Sequence, residues 1–394
     1  METTIQSRKS GANILLFAVP IILLVAVIAL FLATNGAGLN VAPAAPIETL
    51  QFERTILKPG LIELHVRNTS PQEITLAQVI VNDAVWQFTA SPSKVVPRMG
   101  QAIITLKYPW TYASAYSIAI FSASSIAFHT EIPVAALTAT TSNETLISFS
   151  LICLYVGVIP VFLGMMWLPA LRRLGARALM FLMAITAGLL IYLGIDATNE
   201  ALEIARELGG AFQGVGLVGI GIVATFMLLD AITRRQVGVG RGEATQRLTL
   251  ALMIAIGIGL HNLGEGLAIG AAYSVGAAAL GTFLVIGFIV QNITEGLGII
   301  APVLRDRPSL QQLAGMGLIG GAPAIAGAWI GGLAFSQTLA VAFLAIGAGA
   351  VFEVAYEIAK MIQTDAAKNP MPGTIFAGVT LGMLLLYGTG LLIK

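Results

Sequence analysis

From residue 145 to its end the chain is a succession of apolar runs, most of them about 20 residues or longer, separated by short polar connections. Inside a bilayer no water is present to satisfy backbone N–H and C=O groups. Runs of this kind can therefore only be helices that bond internally. Eight fit: 145–169, 178–199, 211–233, 248–274, 278–303, 312–335, 338–362 and 373–393. A further run, Ile14–Ala33, lies near the start behind Arg8 and Lys9. Its core exceeds the roughly 7–15 residues of a signal-peptide core, so it reads as an uncleaved anchor helix. Only 10% of the 394 residues are charged, where a soluble protein carries about 25%. The expected partner is the lipid bilayer. The net charge of +1 excludes the basic field that nucleic acid requires. Cys153 is the single cysteine, so an intrachain disulfide or thiolate cluster is excluded.

Residues 40–140 differ in kind. Prolines at 43, 46, 59, 71, 92, 97, 109 and 133 punctuate short alternating runs such as Ile62–Val66 and Ile103–Leu106. Alternation between turn signals is the mark of half-buried strands. About seven such runs in roughly 100 residues predict a small antiparallel sandwich, with the strand rhythm of cupredoxin-like or Ig-like domains and no identified partner. A blue-copper site needs two histidines and a cysteine. This segment has His65 and His129 and no cysteine, so both histidines read as ordinary residues. The expected organisation is 1–39 cytoplasmic N-terminus and anchor, 40–140 sandwich, and 145–394 helical bundle.

Basic residues set the expected orientation. With the N-terminus inside, one set of loops holds Arg172, Arg173, Arg177, Arg234, Arg235, Arg241, Arg247, Arg305, Arg307, Lys360 and Lys368. The opposite short loops hold only Arg206 and the terminal Lys394. The sandwich and the C-terminus are therefore expected to be extracytoplasmic.

Two consecutive runs carry the same polar cluster. The fourth reads His261-Asn262-Leu263-Gly264-Glu265-Gly266 and the fifth Gln291-Asn292-Ile293-Thr294-Glu295-Gly296. A charged carboxylate at the bilayer centre costs roughly 2.5–3.5 kcal/mol on insertion scales, so each needs a partner. Positions i and i+4 share a helix face, which lets His261 and Glu265 point together, as do Gln291 and Glu295. Imidazole, carboxylate and amide oxygens suit zinc, iron(II), manganese or cobalt. Glycines 257, 259, 264, 266, 270, 287, 296 and 298 surround the clusters. They predict close helix packing and local unwinding. Glu353 and Glu357, one turn apart in the seventh run, read either as interhelical hydrogen-bonding groups or as a candidate metal station on the cytoplasmic side. Met165, Met166 and Met183 read as core residues. Asp196, Glu200 and Glu203 read as a solvated helix end, with a cation entrance as the other reading.

These two hexapeptides resemble the ZIP (Zrt-, Irt-like protein) divalent metal transporters, in particular the prokaryotic GufA-type branch. That branch shows H-N-x-P-E-G in its fourth span and Q-N-x-P-E-G in its fifth. The resemblance covers 145–394 and leaves the anchor and sandwich as an added module. It implies that His261, Asn262, Glu265, Gln291, Asn292 and Glu295 line a central transport site, and that Glu357 serves the exit. Three features depart from the family pattern. Gly264 and Thr294 replace the motif prolines. Ala322 stands before Pro323 where the branch has a metal-bridging glutamate. The loop after the third span has no histidine-rich stretch.

The expectation is thus an all-α polytopic membrane protein, an eight-helix ZIP-like bundle preceded by an anchor helix and a small extracellular all-β sandwich. It is expected to carry divalent transition-metal cations, zinc first among them, toward the cytoplasm by alternating access. The metal is cargo; no catalytic cofactor and no enzymatic activity are expected. The absence of a GxxxxGK[ST] motif leaves gradients as the driving force. A homodimer is compatible with this reading. The rival readings are a metal-sensing, receptor-like protein and an intramembrane zinc hydrolase.

Overall fold

The structure is a computed structural model and describes residues 18–31, 33–34, 47–138, 142–237, 242–274, 278–334, 336–368 and 370–393. The chain divides into two compact units, Met1–Ile47 and Glu48–Lys394. In the first, the described helix is α1 (Ala18–Phe31), whose apolar side chains, Ile21, Leu23 and Val27 among them, are exposed. The outer parts of the anchor run, with Arg8 and Lys9, lie outside the described residues, as do Arg241 and Lys394.

The second unit begins with the expected strands: β1 (Leu50–Lys58), β2 (Leu61–Asn68), β3 (Ile74–Val81), β4 (Ala84–Trp86), β5 (Phe88–Ser91), β6 (Val95–Val96), β7 (Gln101–Leu106), β8 (Tyr116–Ser122) and β9 (Ala127–Ile132). They form two antiparallel sheets, β1-β2-β7-β5 and β4-β3-β8-β9, with β6 on β3. Period-two alternation puts Ile62, Leu64 and Val66 of β2 in one core with Ile118 and Ile120 of β8. Asn82 (φ 45°) and Asp83 (φ 64°) make the tight turn between β3 and β4. A two-residue hairpin favours such positive φ values and these residue types.

The helices follow: α2 (Asn143–Cys153), a π-turn (Leu154–Val158), α3 (Ile159–Met165), α4 (Leu168–Leu171), α5 (Ala176–Glu207), α6 (Gly214–Val237), α7 (Glu243–Ser274), α8 (Ala278–Ile300), α9 (Leu310–Gly321), α10 (Pro323–Ala334), α11 (Gln337–Lys368) and α12 (Pro372–Ile393). Seven stretches among the described residues are long and apolar enough to cross a membrane. They occupy the first seven of the eight expected places. The eighth place holds α12, an apolar helix of 22 residues. Several helices outrun their apolar runs. α5 continues to Glu207, α7 starts at Glu243 and α11 reaches Lys368, because helical hydrogen bonding continues past the point where side chains turn polar. The sixth span, Leu310–Ala334, is interrupted at Ala322, just before Pro323.

The helices pack in two groups. α7 lies along α9 and α10, and α3 along α8, while α5, α6, α11 and α12 pack on one another; the groups meet chiefly where α7 lies against α11. Backbone-to-backbone approach fixes the first group. A Cβ at Gly266 would fall 2.0 Å from the Ala324 carbonyl oxygen, and one at Gly296 would fall 2.2 Å from that of Val161. The sandwich sits on one end of the bundle. Gln51 Nε2 donates to Gln337 Oε1 at 3.2 Å, and Arg54 donates to the Leu333 carbonyl. At the remote end, Arg247 holds Asp306 through Nε and Nη2 at 2.8 Å each, and Arg172 donates to the Leu304 carbonyl at 3.2 Å. Those hydrogen bonds hold the Asp306 carboxyl below the usual carboxylate range. Their stabilisation is present at neutral pH and is lost as pH falls through that lowered value.

Close approach at the two motif glycines predicts a sharp size limit. Gly266→Ala and Gly296→Ala should each cost about 1–3 kcal/mol by overpacking. Gly264→Ala, whose new methyl would stand 3.8 Å from its nearest neighbour, should gain up to about 1 kcal/mol from helix propensity. Thermal unfolding in detergent measures all three, and an unchanged midpoint for Gly266→Ala would contradict the packing.

Candidate metal centre

The two hexapeptides meet. His261 and Glu265 lie one turn apart on α7, with His261 Nε2 3.3 Å from Glu265 Oε1. Glu295 on α8 completes a group in which one ligand atom from each of the three residues lies within 4.8 Å of the others. It is the one group of three or more His, Cys, Asp or Glu residues this close among the described residues. All six motif side chains are buried, with exposures from 0% for Asn262 and Asn292 to 7% for Gln291. Two ligand atoms on one zinc ion stand at most about 4.2 Å apart, twice the usual bond length. Around a tetrahedral ion such atoms stand about 3.4 Å apart, so the most separated ligand atoms must draw closer by an ångström or more to hold one. The free space beside Gln291, Thr294 and Glu295 is about 10 Å³, room for no more than about one water.

One amide holds this group together. Gln291 Nε2 lies 3.3 Å from His261 Nε2, 3.4 Å from Glu295 Oε1, and donates to Glu265 Oε1. An amide nitrogen carries two hydrogens, and here they reach the two carboxylates. Asn292 Nδ2 gives Glu265 Oε2 a further bond at 3.0 Å. Three buried acceptors have no partner: Asn262 Oδ1, Asn292 Oδ1 and Glu295 Oε2.

The two asparagines are anchored alike, which the sequence reading missed. Asn292 Nδ2 donates to the Val156 carbonyl at 3.0 Å, and Asn262 Nδ2 to the Gly320 carbonyl at 2.9 Å. Both acceptors sit at helix irregularities. Val156 lies in the π-turn four residues before Pro160, which has no N–H to offer its carbonyl. Gly320 lies just before the break at Pro323. Pro160 was the available signal. By contrast, the unwinding expected around the cluster glycines does not occur: α7 runs unbroken through Gly264 and α8 through Thr294. Thr294 Oγ1 donates to the Gln291 carbonyl at 2.6 Å instead, and the close packing that the other glycines supply requires no bend. The oxygen donors at this site are therefore side-chain groups.

Glu353 and Glu357 stand apart from the three-residue group. On α11, Gly347 packs against His261, with the position of its missing Cβ 3.4 Å from Nδ1. Glu353 lies six residues on, about 9 Å along the axis toward the end remote from the sandwich. It is 1% exposed and accepts from Thr233 Oγ1 at 3.0 Å. Glu357 is paired with Lys360, whose ammonium also stands 3.7 Å from Asp230 Oδ1 and 4.2 Å from the Tyr356 ring centre. Glu357 is thus ion-paired on its own helix. Asp196, Glu200 and Glu203 are exposed on α5. Met165 and Met183 are core residues, as expected, while Met166 is exposed. His65 on β2 and His129 on β9 lie in different sheets, and the described His, Cys and acidic residues of the sandwich form no close group of three.

Fold and site together define a polytopic membrane protein with a buried His/Glu/Glu group between two of its helices. The chain matches no model of a known protein family and no curated protein.

The Glu357–Lys360 pair predicts unequal losses. Lys360→Met leaves a 6%-exposed carboxylate without its ammonium and should cost about 1–3 kcal/mol. Glu357→Gln leaves a partly exposed ammonium that still reaches Asp230 and Tyr356, and should cost less. The order of the two midpoints in detergent melts checks this.

Proposed function

We propose that the protein is a transporter of divalent transition-metal cations, zinc first among them, of the kind its two hexapeptides resemble. The observation that carries this reading is the trio of unpartnered buried acceptors, Asn262 Oδ1, Asn292 Oδ1 and Glu295 Oε2, around His261 and Glu265. Each would cost about 1–3 kcal/mol unsatisfied, and a cation satisfies several at once. Neutral imidazole and two carboxylates give two formal negative charges, which balance one divalent ion. Turning the Gln291 amide by 180° replaces its N–H donors with an oxygen ligand, so the group that bridges the carboxylates becomes a further donor when the ion arrives. The closed surroundings of the site require the helix groups to move for entry and exit, as in alternating access around a midplane site. The direction is toward the cytoplasm, with the N-terminus inside and the sandwich outside. Its support is the basic loops, which fall at the end remote from the sandwich.

Uptake of zinc, manganese, cobalt and iron(II) into proteoliposomes tests the reading. Glu265→Ala and Glu295→Ala should each remove most of the flux while the protein still folds. Flux of wild-type size from either folded variant would refute the site. Absence of flux for every ion in the wild type would refute transport and leave the sensing role. Metal analysis should find one ion between α7 and α8. Ala322→Glu, at the helix break beside the Asn262 anchor, should raise that number toward two.

A further inference from the structure

Where the sandwich meets the helix ends there is a cavity of about 770 Å³ that shares no lining residue with the central site. Glu48 and Gln51 line it at the start of β1, His129 and Glu131 from β9, and Glu207 and Gln337 from the ends of α5 and α11. No Lys or Arg lines it, so three carboxylates face one another across water without a basic residue in the wall.

Its floor carries an independent sign of a missing donor. Gln51 is 5% exposed, and its Nε2 donates to Gln337 Oε1 at 3.2 Å, while Gln337 Nε2 donates to Glu207 Oε2 at 3.2 Å. This relay fixes the amide so that Gln51 Oε1 is left buried without a partner, and Glu48 Oε2 is in the same condition. Both atoms accept and neither can donate. The group that completes them must bring positive charge or N–H and O–H donors, and the surrounding carboxylates select for the charge.

We propose that this cavity binds a hydrated divalent transition-metal cation. The volume lets the ion keep much of its water, and the ligand atoms are not drawn together as they are around His261. Binding is therefore weak and exchangeable, with water relaying contact to some walls. His129, the single imidazole in the lining, favours borderline ions over calcium and magnesium. The binding does not depend on the transport reading. Its consequence does: in a transporter this cavity would concentrate the cargo at the sandwich end of the bundle.

The test uses manganese and the full-length chain with its central site disabled by Glu265→Gln and Glu295→Gln. Electron paramagnetic resonance of free manganese should report one further ion bound. Adding Glu131→Gln and Glu207→Gln, both exposed positions, should weaken that binding at least tenfold, with the melting temperature unchanged. Zinc should displace the manganese at lower concentration than calcium, and His129→Ala should reduce that preference. Manganese binding that ignores the loss of both carboxylates would overturn the proposal, as would equal displacement by zinc and calcium. With the central site intact, Glu131→Gln/Glu207→Gln should raise the KM for uptake several-fold with kcat retained. A wild-type protein without flux would sink the transport reading alone and leave the manganese result standing.

Discussion

Two carboxylates buried on facing helices, Glu265 and Glu295, are met by the amide N–H groups of Gln291 and Asn292 and by the His261 imidazole beside Glu265. Much of the bundle serves to make that arrangement possible. α7 and α8 are each pressed against a second helix at backbone distance, which Gly266 and Gly296 permit. The asparagine amides beside the carboxylates have anchors of their own. Asn262 and Asn292 take theirs from carbonyls near Pro323 and Pro160. The repeated hexapeptide is thus matched by a repeated environment: a glycine contact, a proline-disturbed turn and a carbonyl held by the asparagine.

Neither hexapeptide contains a proline. In the resemblance, a proline within each hexapeptide would free a carbonyl on the same helix. Here α7 and α8 stay straight, and the irregular backbone lies on the neighbouring helices instead. The polar site keeps its oxygen-rich character, but its donors are side chains. A side-chain amide can reverse O and N, which a backbone carbonyl cannot. The geometry around Gln291 therefore has two states of opposite polarity available without moving a helix.

The parts legible in the sequence were those governed by a period or by membrane thickness. Strand alternation placed the β2 and β7 cores, and apolar length located the helices from residue 145 onward. The i, i+4 spacing brought His261 beside Glu265. Pairing across helices was legible only because the hexapeptide occurs twice. What could not be read were interactions between segments far apart in the chain: Asn292 with Val156, Thr233 with Glu353, and Gln51 with Gln337. No local pattern encodes them. The break at Ala322–Pro323 and the π-turn at Leu154–Val158 were hidden within apolar runs, because hydropathy records what a span faces and not whether its hydrogen bonds are regular. The pairing of Glu357 with Lys360 was hidden for a related reason. Lys360 was counted as a loop charge, although α11 continues through it and turns its ammonium onto Glu357.

Charge compensation differs at three levels along the molecule. At the sandwich end, Glu48, Glu131 and Glu207 face water with no basic residue in the cavity wall. At the centre, Glu265 and Glu295 are buried and only partly satisfied by amides. Toward the remote end, Glu357 and Asp230 are already met by Lys360 and Arg234. Solvent screens the first group, so its hold on an ion is weak. The dry surroundings of the second strengthen each interaction. In the third, an ion must compete with ammonium and guanidinium groups that cannot leave. In the transport reading this order captures an ion loosely, binds it tightly once and discourages a second tight stop on the way out. A transporter needs that last property, because turnover is limited by whichever site releases its ion most slowly.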